Sequence, residues 1–124
     1  MAAAILNQGR TAIRDALKTL ISHIVVSTDS TAFSATQTTA NPSGAGTNLI
    51  KASTEVDVDA FTFDAQINIS GDTEFTGLNI NTIAPANGNT AANALARVVR
   101  TNPIGVQAGD VFTVGVRVQV QDAS

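Results

Sequence analysis

The sequence predicts a mainly β protein: an antiparallel β-sandwich of about six strands preceded by one N-terminal α-helix, in a single domain over residues 1–124. Three observations lead there. In the stretch 111–121 every even position from Phe112 to Val120 is apolar, while the odd positions from Thr113 to Gln121 are polar or glycine. Side chains alternate between faces along a strand, so this pattern sets one face on a core and the other in water. Shorter apolar and β-branched runs recur upstream, separated by turn signals at the spacing of a sandwich. Helical periodicity is read only near the N-terminus.

That helix is placed at residues 7–20, with Asn7 as its N-cap. Gly9, Ile13, Ala16, Leu17 and Leu20 recur on one face at three- and four-residue steps. Arg10, Arg14 and Lys18 stand on the opposite face at i, i+4, i+8. Like charges so spaced repel by roughly a few tenths of a kcal/mol. The plain reading of this stripe is a solvated face. The sharper one is a basic stripe docked on an acidic neighbour, which would offset the repulsion.

Residues 21–28 (ISHIVVST) form a short, mostly buried strand, given their β-branched density and polar boundary. The stretch 29–46 is rich in Thr, Ala and Ser and closes with Asn41-Pro42-Ser43-Gly44. It is long for a compact domain, and reads as a polar loop or as an arm that orders on a neighbouring subunit. Phe33 is its only large apolar residue. From Leu49 to Ser70 alternation resumes but slips phase. Val56, Val58 and Ala60 share one parity; Phe61, Phe63, Ala65, Ile67 and Ile69 share the other. The slip predicts a β-bulge or a strand break at Ala60-Phe61. Gly71-Asp72 marks a turn. Residues 74–83 follow as a strand with Leu78 and Ile80 inward and a bulge at Gly77. The segment 85–89 (PANGN) reads as a turn, 94–101 as a strand broken by Asn102-Pro103, and 108–110 (AGD) as the turn into the final strand.

Composition narrows the function classes. The chain has no cysteine, so disulfides and thiolate chemistry are excluded. Charged residues make up 14%, against about 25% in average soluble proteins. Low charge weakens the repulsion between copies and favours packing against neighbours. A net charge of −3 and a pI near 4.7 argue against a nucleic-acid partner. The first residues lack a basic n-region, and no apolar run reaches the roughly 18 residues of a spanning helix. The expectation is synthesis in a cytoplasm, with no membrane partner.

Site chemistry is sparse. His23 is the sole histidine, and no nucleophile-elbow turn accompanies it. Without a second His or any Cys, a histidine-based zinc site is disfavoured. Glu55, Asp57 and Asp59 alternate along a predicted strand, so they can share a face and ligate calcium; they equally suit an outward polar face. A glycosidase needs a carboxylate pair in a sugar-stacking cleft, and the chain has neither Trp nor Tyr. No glycine-rich run has the form of a phosphate loop, and Asn68-Ile69-Ser70 is read as a chance glycosylation triplet. Catalytic residues and cofactors are expected to be none.

Three segments in order carry a resemblance. They are Gly9-Arg10-Thr11-Ala12-Ile13-Arg14-Asp15-Ala16-Leu17 with the following ISHIVVST strand; Phe75-Thr76-Gly77-Leu78-Asn79-Ile80; and Ala94-Leu95-Ala96-Arg97 leading through Ala108-Gly109-Asp110 into Phe112-Thr113-Val114. Together they resemble small virion proteins of tailed bacteriophages, of the tail-fibre or tail-collar type. In that group a helix precedes a β-sandwich, and a Leu-Ala-Arg strand precedes a Gly-Asp turn and a last alternating strand. The chain departs from the group at Ser27-Thr28-Asp29, where a Gly-Thr-Gly turn is frequent, and at residues 81–85, where a Glu-x-Gly-Leu-Phe segment is frequent.

The resemblance implies a non-enzymatic virion component: a homo-oligomer, with trimeric packing suited to a fibre or shell-surface role, contacting other virion proteins of the tail or the capsid shell. A tail-associated fibre or collar subunit comes first, a capsid decoration protein second, and a calcium- or ligand-binding β-module using Glu55, Asp57 and Asp59 third. The interface candidates are Arg10, Arg14 and Lys18 as docking charges, Phe33 on the polar stretch, and Arg117 on the wet face of the final strand.

Overall fold

The computed structural model describes residues 5–121. Helix α1 (Asn7–Leu20) is followed by β1 (His23–Ser27), β2 (Asn48–Ala52), β3 (Thr54–Asp59), β4 (Thr62–Ser70), β5 (Asn79–Ala86), a 3-10 turn (Ala91–Asn93), β6 (Val98–Gly105) and β7 (Val111–Gln119). The strands form two antiparallel sheets: sheet A in the order β2-β1-β5-β6 and sheet B in the order β3-β4-β7. The fold is therefore mainly β with one leading helix, as the sequence predicts, but with seven strands rather than about six. The extra strand comes from Ser53. It interrupts the run 48–59, its N–H donates to the Ser22 carbonyl, and the chain there crosses from sheet A to sheet B.

The two sheets bury a common core. Ile24, Val26, Ile80 and Ile83 come from sheet A; Phe63, Ala65, Ile67, Ile69 and Val114 come from sheet B. In β4 and β7 the period-2 pattern holds. Alternate residues of β4 are buried, and Phe112, Val116 and Val118 of β7 pack beside Val114. The phase slip at Ala60-Phe61 is the tip of the β3–β4 hairpin, so the chain reverses there. A separate register shift lies between Asp57 and Asp59.

Several boundaries differ from expectation for identifiable reasons. Leu6, not Asn7, is the N-cap; leucine has no acceptor to offer the first turn, and the Asn7 side chain accepts from Arg10. The segment 71–78 is a series of turns rather than the start of a strand, held by Glu74 N–H and Gly77 N–H bonding to the Ser70 and Val106 carbonyls. Phe75 there takes a left-handed φ of 59°, since its ring is needed in the core. Pro85 lies inside β5 beyond the reach of β6, and its carbonyl accepts from Leu95 N–H. Asn102-Pro103 does not end β6. Residues 100–103 loop out between the pairs Ile80↔Ile104 and Thr82↔Val99, and a bulge on an edge strand tolerates proline.

Candidate functional site

The long polar stretch folds back onto its own sheet and does not project as an arm. The face of sheet A turned away from sheet B carries Val25, Ala84 and Ala86, which form a second apolar cluster with Ala40 of the loop. Asp29 anchors this cover. Its carboxylate accepts from the N–H groups of Thr31 (2.8 Å) and Ser43 (2.9 Å), while Thr82 donates its hydroxyl to the Asp29 carbonyl at 2.7 Å. The Arg97 guanidinium donates to Gln37 and to the Thr82 hydroxyl and lies 4.0 Å from the Asp29 carboxylate. Both side chains are almost fully buried, 4% exposed for Arg97 and 1% for Asp29. Burial pushes the Asp29 carboxyl up, but the hydrogen bonds from Thr31 and Ser43 outweigh it and hold the group well below the usual carboxylate range. The sequence shows Asp29 only as a strand boundary and Arg97 only as part of a short motif. Their pairing across 68 positions of chain has no local signal.

Phe33 stands at the rim of this cover, 73% exposed, beside a groove of about 290 Å³ that Leu95 and Arg97 also line. The volume falls at the lower limit of the roughly 300–1,000 Å³ typical of ligand sites. The two terminal nitrogens of Arg97 are already committed within the protein. The groove is a seam between the loop and the segment 94–97.

The basic stripe of α1 faces the protein, not water. Arg10 donates to the Val120 carbonyl through Nε and Nη2 (3.3 and 3.0 Å), and its guanidinium carbon lies 3.7 Å from the centroid of the Phe61 ring. Arg14 donates to the Asp59 carbonyl at 2.7 Å and pairs with Asp15 and Asp57; only 12% of its side chain is exposed. Lys18 pairs with Asp57 at 2.8 Å. The acidic neighbour is thus the β3–β4 hairpin of the same chain, which corrects the solvated reading. Opposite charge and bare carbonyls at the hairpin tip offset the repulsion within the stripe. Since Leu17 alone of the apolar residues packs on the core, the rest of the apolar arc points outward. Leu6 is 69% exposed, Ile13 41% and Leu20 45%.

Glu55, Asp57 and Asp59 do not assemble into a calcium site. Ser53 donates to Glu55, Lys18 binds Asp57, and Asp59 accepts from Phe61 N–H beyond the register shift that breaks the common face. The Lys18 hydrogen bond lowers the Asp57 pKa, and the Phe61 N–H lowers that of Asp59. Among the described residues no cluster of three metal-ligating side chains occurs. His23 is half-buried on β1, with its Nδ1 2.8 Å from the Ser22 hydroxyl.

Arg117 lies on the outer face of sheet B, paired in a fork with Asp64 at 2.9 and 3.1 Å. That pair holds the Asp64 carboxyl below its ordinary range. Thr113, Gly115 and Gln119 are exposed on the same face. No helix among the described residues is long and apolar enough to cross a membrane. The described residues leave exposed an outward apolar helix face, Phe33 and one side of sheet B. The chain matches no protein-family model, no curated protein and no solved structure.

Proposed function

We propose that this chain is a non-enzymatic structural subunit of a tailed-phage virion, a small β-sandwich that works as a homo-oligomer in a tail-associated fibre or collar. The observation that carries the reading is the orientation of α1. Its charged stripe is spent inside the chain, and Leu6, Ile13 and Leu20 are left facing solvent on one arc. An amphipathic helix normally buries its apolar face, and an apolar patch left outward marks a contact surface. The three segments that resemble small virion proteins, and the low charge of the chain, support the same reading.

The geometry also changes which residues test it. Reversing Arg10, Arg14 and Lys18 would loosen α1 from its own hairpin and so confuse docking with folding. The pair Ile13→Asp and Leu20→Asp leaves those contacts untouched. In this reading the double variant keeps its circular dichroism and melting temperature but loses incorporation into particles and falls in oligomer mass by light scattering. Normal incorporation at normal copy number would overturn the role of the helix face. Electron microscopy of the native particle distinguishes a tail position from a place on the capsid shell.

A further inference from the structure

We infer that β7 is a self-pairing edge: two copies join their sheets B antiparallel along this strand, about a two-fold axis at Gly115. The inference deepens the homo-oligomer reading above by naming the surface and the register, and it rests on that reading only for the choice of a second copy as partner.

The first ground is that β7 is the unguarded edge. Each sheet has two edges, and the other three carry features that discourage pairing. Strand β6 bulges at residues 100–103 and contains Pro103. Strand β2 has only five residues, and its Lys51 turns across to bond the Asn68 carbonyl of β4 and the Glu74 carboxylate in the turn segment beyond it. Strand β3 carries Glu55, Asp57 and Asp59 and a register shift. Strand β7 runs for nine residues, pairs without interruption against β4, and has one charged residue, Arg117.

The second ground is where its backbone groups point. Beyond the two ends of β7, Val120 N–H donates to Phe61 and the Asp110 carbonyl accepts from Gly71, so even-numbered residues turn their backbone toward β4. In an antiparallel strand the N–H and C=O of alternate residues turn to opposite sides. Val111, Thr113, Gly115, Arg117 and Gln119 therefore direct theirs to the open edge, and all five are exposed.

The third ground is the self-complementarity of the strand. With Gly115 facing Gly115 of the second copy, Val111 faces Gln119 and Thr113 faces Arg117, all pairs of outward-directed backbones. On the inner face Phe112 meets Val118, and Val114 meets Val116, so the two cores join with apolar on apolar. The register overlaps the whole strand and keeps the two Arg117 side chains apart, each beside a Thr113. Shifting the axis to Arg117 would set like charges opposite one another, which is destabilising.

The absence of native cysteine makes the register directly testable. Gly115 itself cannot be used, because a Cβ there would run into the Ala65 carbonyl of β4. Two single variants, Thr113→Cys and Arg117→Cys, serve instead. Partners in a hydrogen-bonded pair have Cα atoms about 5.5 Å apart, within disulfide range. The same residue in the two copies would be separated by about 14 Å, four residues of rise, which is beyond it. Mild oxidation should give a covalent dimer from an equimolar mixture of the two variants and almost none from either alone. A third variant, Thr113→Pro, removes one outward N–H without touching the β4 ladder, and should weaken self-association at least tenfold with the fold kept. Dimer from the single variants as readily as from the mixture would overturn the register. A chain that stays oligomeric but gives no mixed cross-link would overturn the edge pairing and leave the homo-oligomer reading standing. If Thr113→Pro does not fold, the cross-linking result decides.

Discussion

The two sheets share one core, yet their outer faces have opposite fates. Sheet A is covered twice: by sheet B on one side and by the loop 29–46 on the other, with Val25, Ser27, Thr82, Ala84 and Ala86 all sealed beneath it. Sheet B is covered once, and Thr113, Gly115, Arg117 and Gln119 of its edge strand stay in water. The covered face is closed by a buried polar network around Asp29 and Arg97 whose members bind one another. The uncovered face holds a solvent-facing ion pair, and the β7 edge beside it carries a row of backbone groups with no partner among the described residues. One sheet is thus sealed on both sides within the monomer, and the other is left with a bare side and a bare edge. The loop closes sheet A within the chain, and among the described residues no strand pairs with the outer edge of β7.

The largest effect is expected at Asp29, which anchors the cover of sheet A. Replacing it with Ala strands the buried Arg97 charge and frees the Thr31 and Ser43 amides. Removing one partner of a buried pair costs about 3–5 kcal/mol, so urea unfolding should show a loss of that order. A loss below about 1 kcal/mol, in the range of an exposed pair, would mean that the loop does not hold the sheet. Acid acts on the same point. The folded Asp29 pKa lies below its unfolded value, so its contribution is complete above the ordinary carboxylate range near pH 4 and is lost as pH falls through the folded value. Glu74, held down first by Ser70 N–H and then by Lys51, titrates in the same direction. Thermal melts from pH 6 to pH 2 should therefore fall, and Asp29→Ala should flatten the fall; an unchanged slope would remove Asp29 from the account.

Smaller effects are expected at the helix seam. Arg14→Ala loses the bond to the Asp59 carbonyl and the contacts with Asp57, so amides of α1 should exchange faster while those of β4 do not. Equal acceleration in both would place the helix in the same cooperative unit as the sandwich. The smallest change belongs to the bare face of sheet B. Gln66→Ala, beside Gly115, should shift stability by no more than about 0.5 kcal/mol in the monomer, as surface substitutions do. A larger loss by urea titration would show that this face is not bare.

What the sequence showed and what it hid follow the same division. Sheet B was legible, because one face of β4 and β7 is buried and alternation reports that directly. Sheet A was less so: Ile24-Val25-Val26 and Ile83-Ala84 are buried on both faces, and a continuous apolar run says nothing of what covers its second side. The extent of α1 was legible from its periodicity, but not its orientation. That depended on the β3–β4 hairpin presenting carbonyls and Asp57 to the charged stripe, a long-range match between residues 10–18 and 57–61. The carboxylates at 55, 57 and 59 misled in the other direction. Their spacing suggested a shared face, and the bulge together with separate partners dispersed them.

The most direct measurement of the central claim is residue-resolved hydrogen exchange along β7 as the protein concentration rises. At low concentration the amides of residues 112, 114, 116 and 118, turned to β4, should be protected, and those of 111, 113, 115, 117 and 119 should exchange freely. As concentration rises the odd-numbered amides should become protected together, while the loop 29–46 over sheet A stays unchanged. Odd-numbered amides that remain unprotected at concentrations where the chain is oligomeric would contradict the claim that sheet B is completed by a second copy.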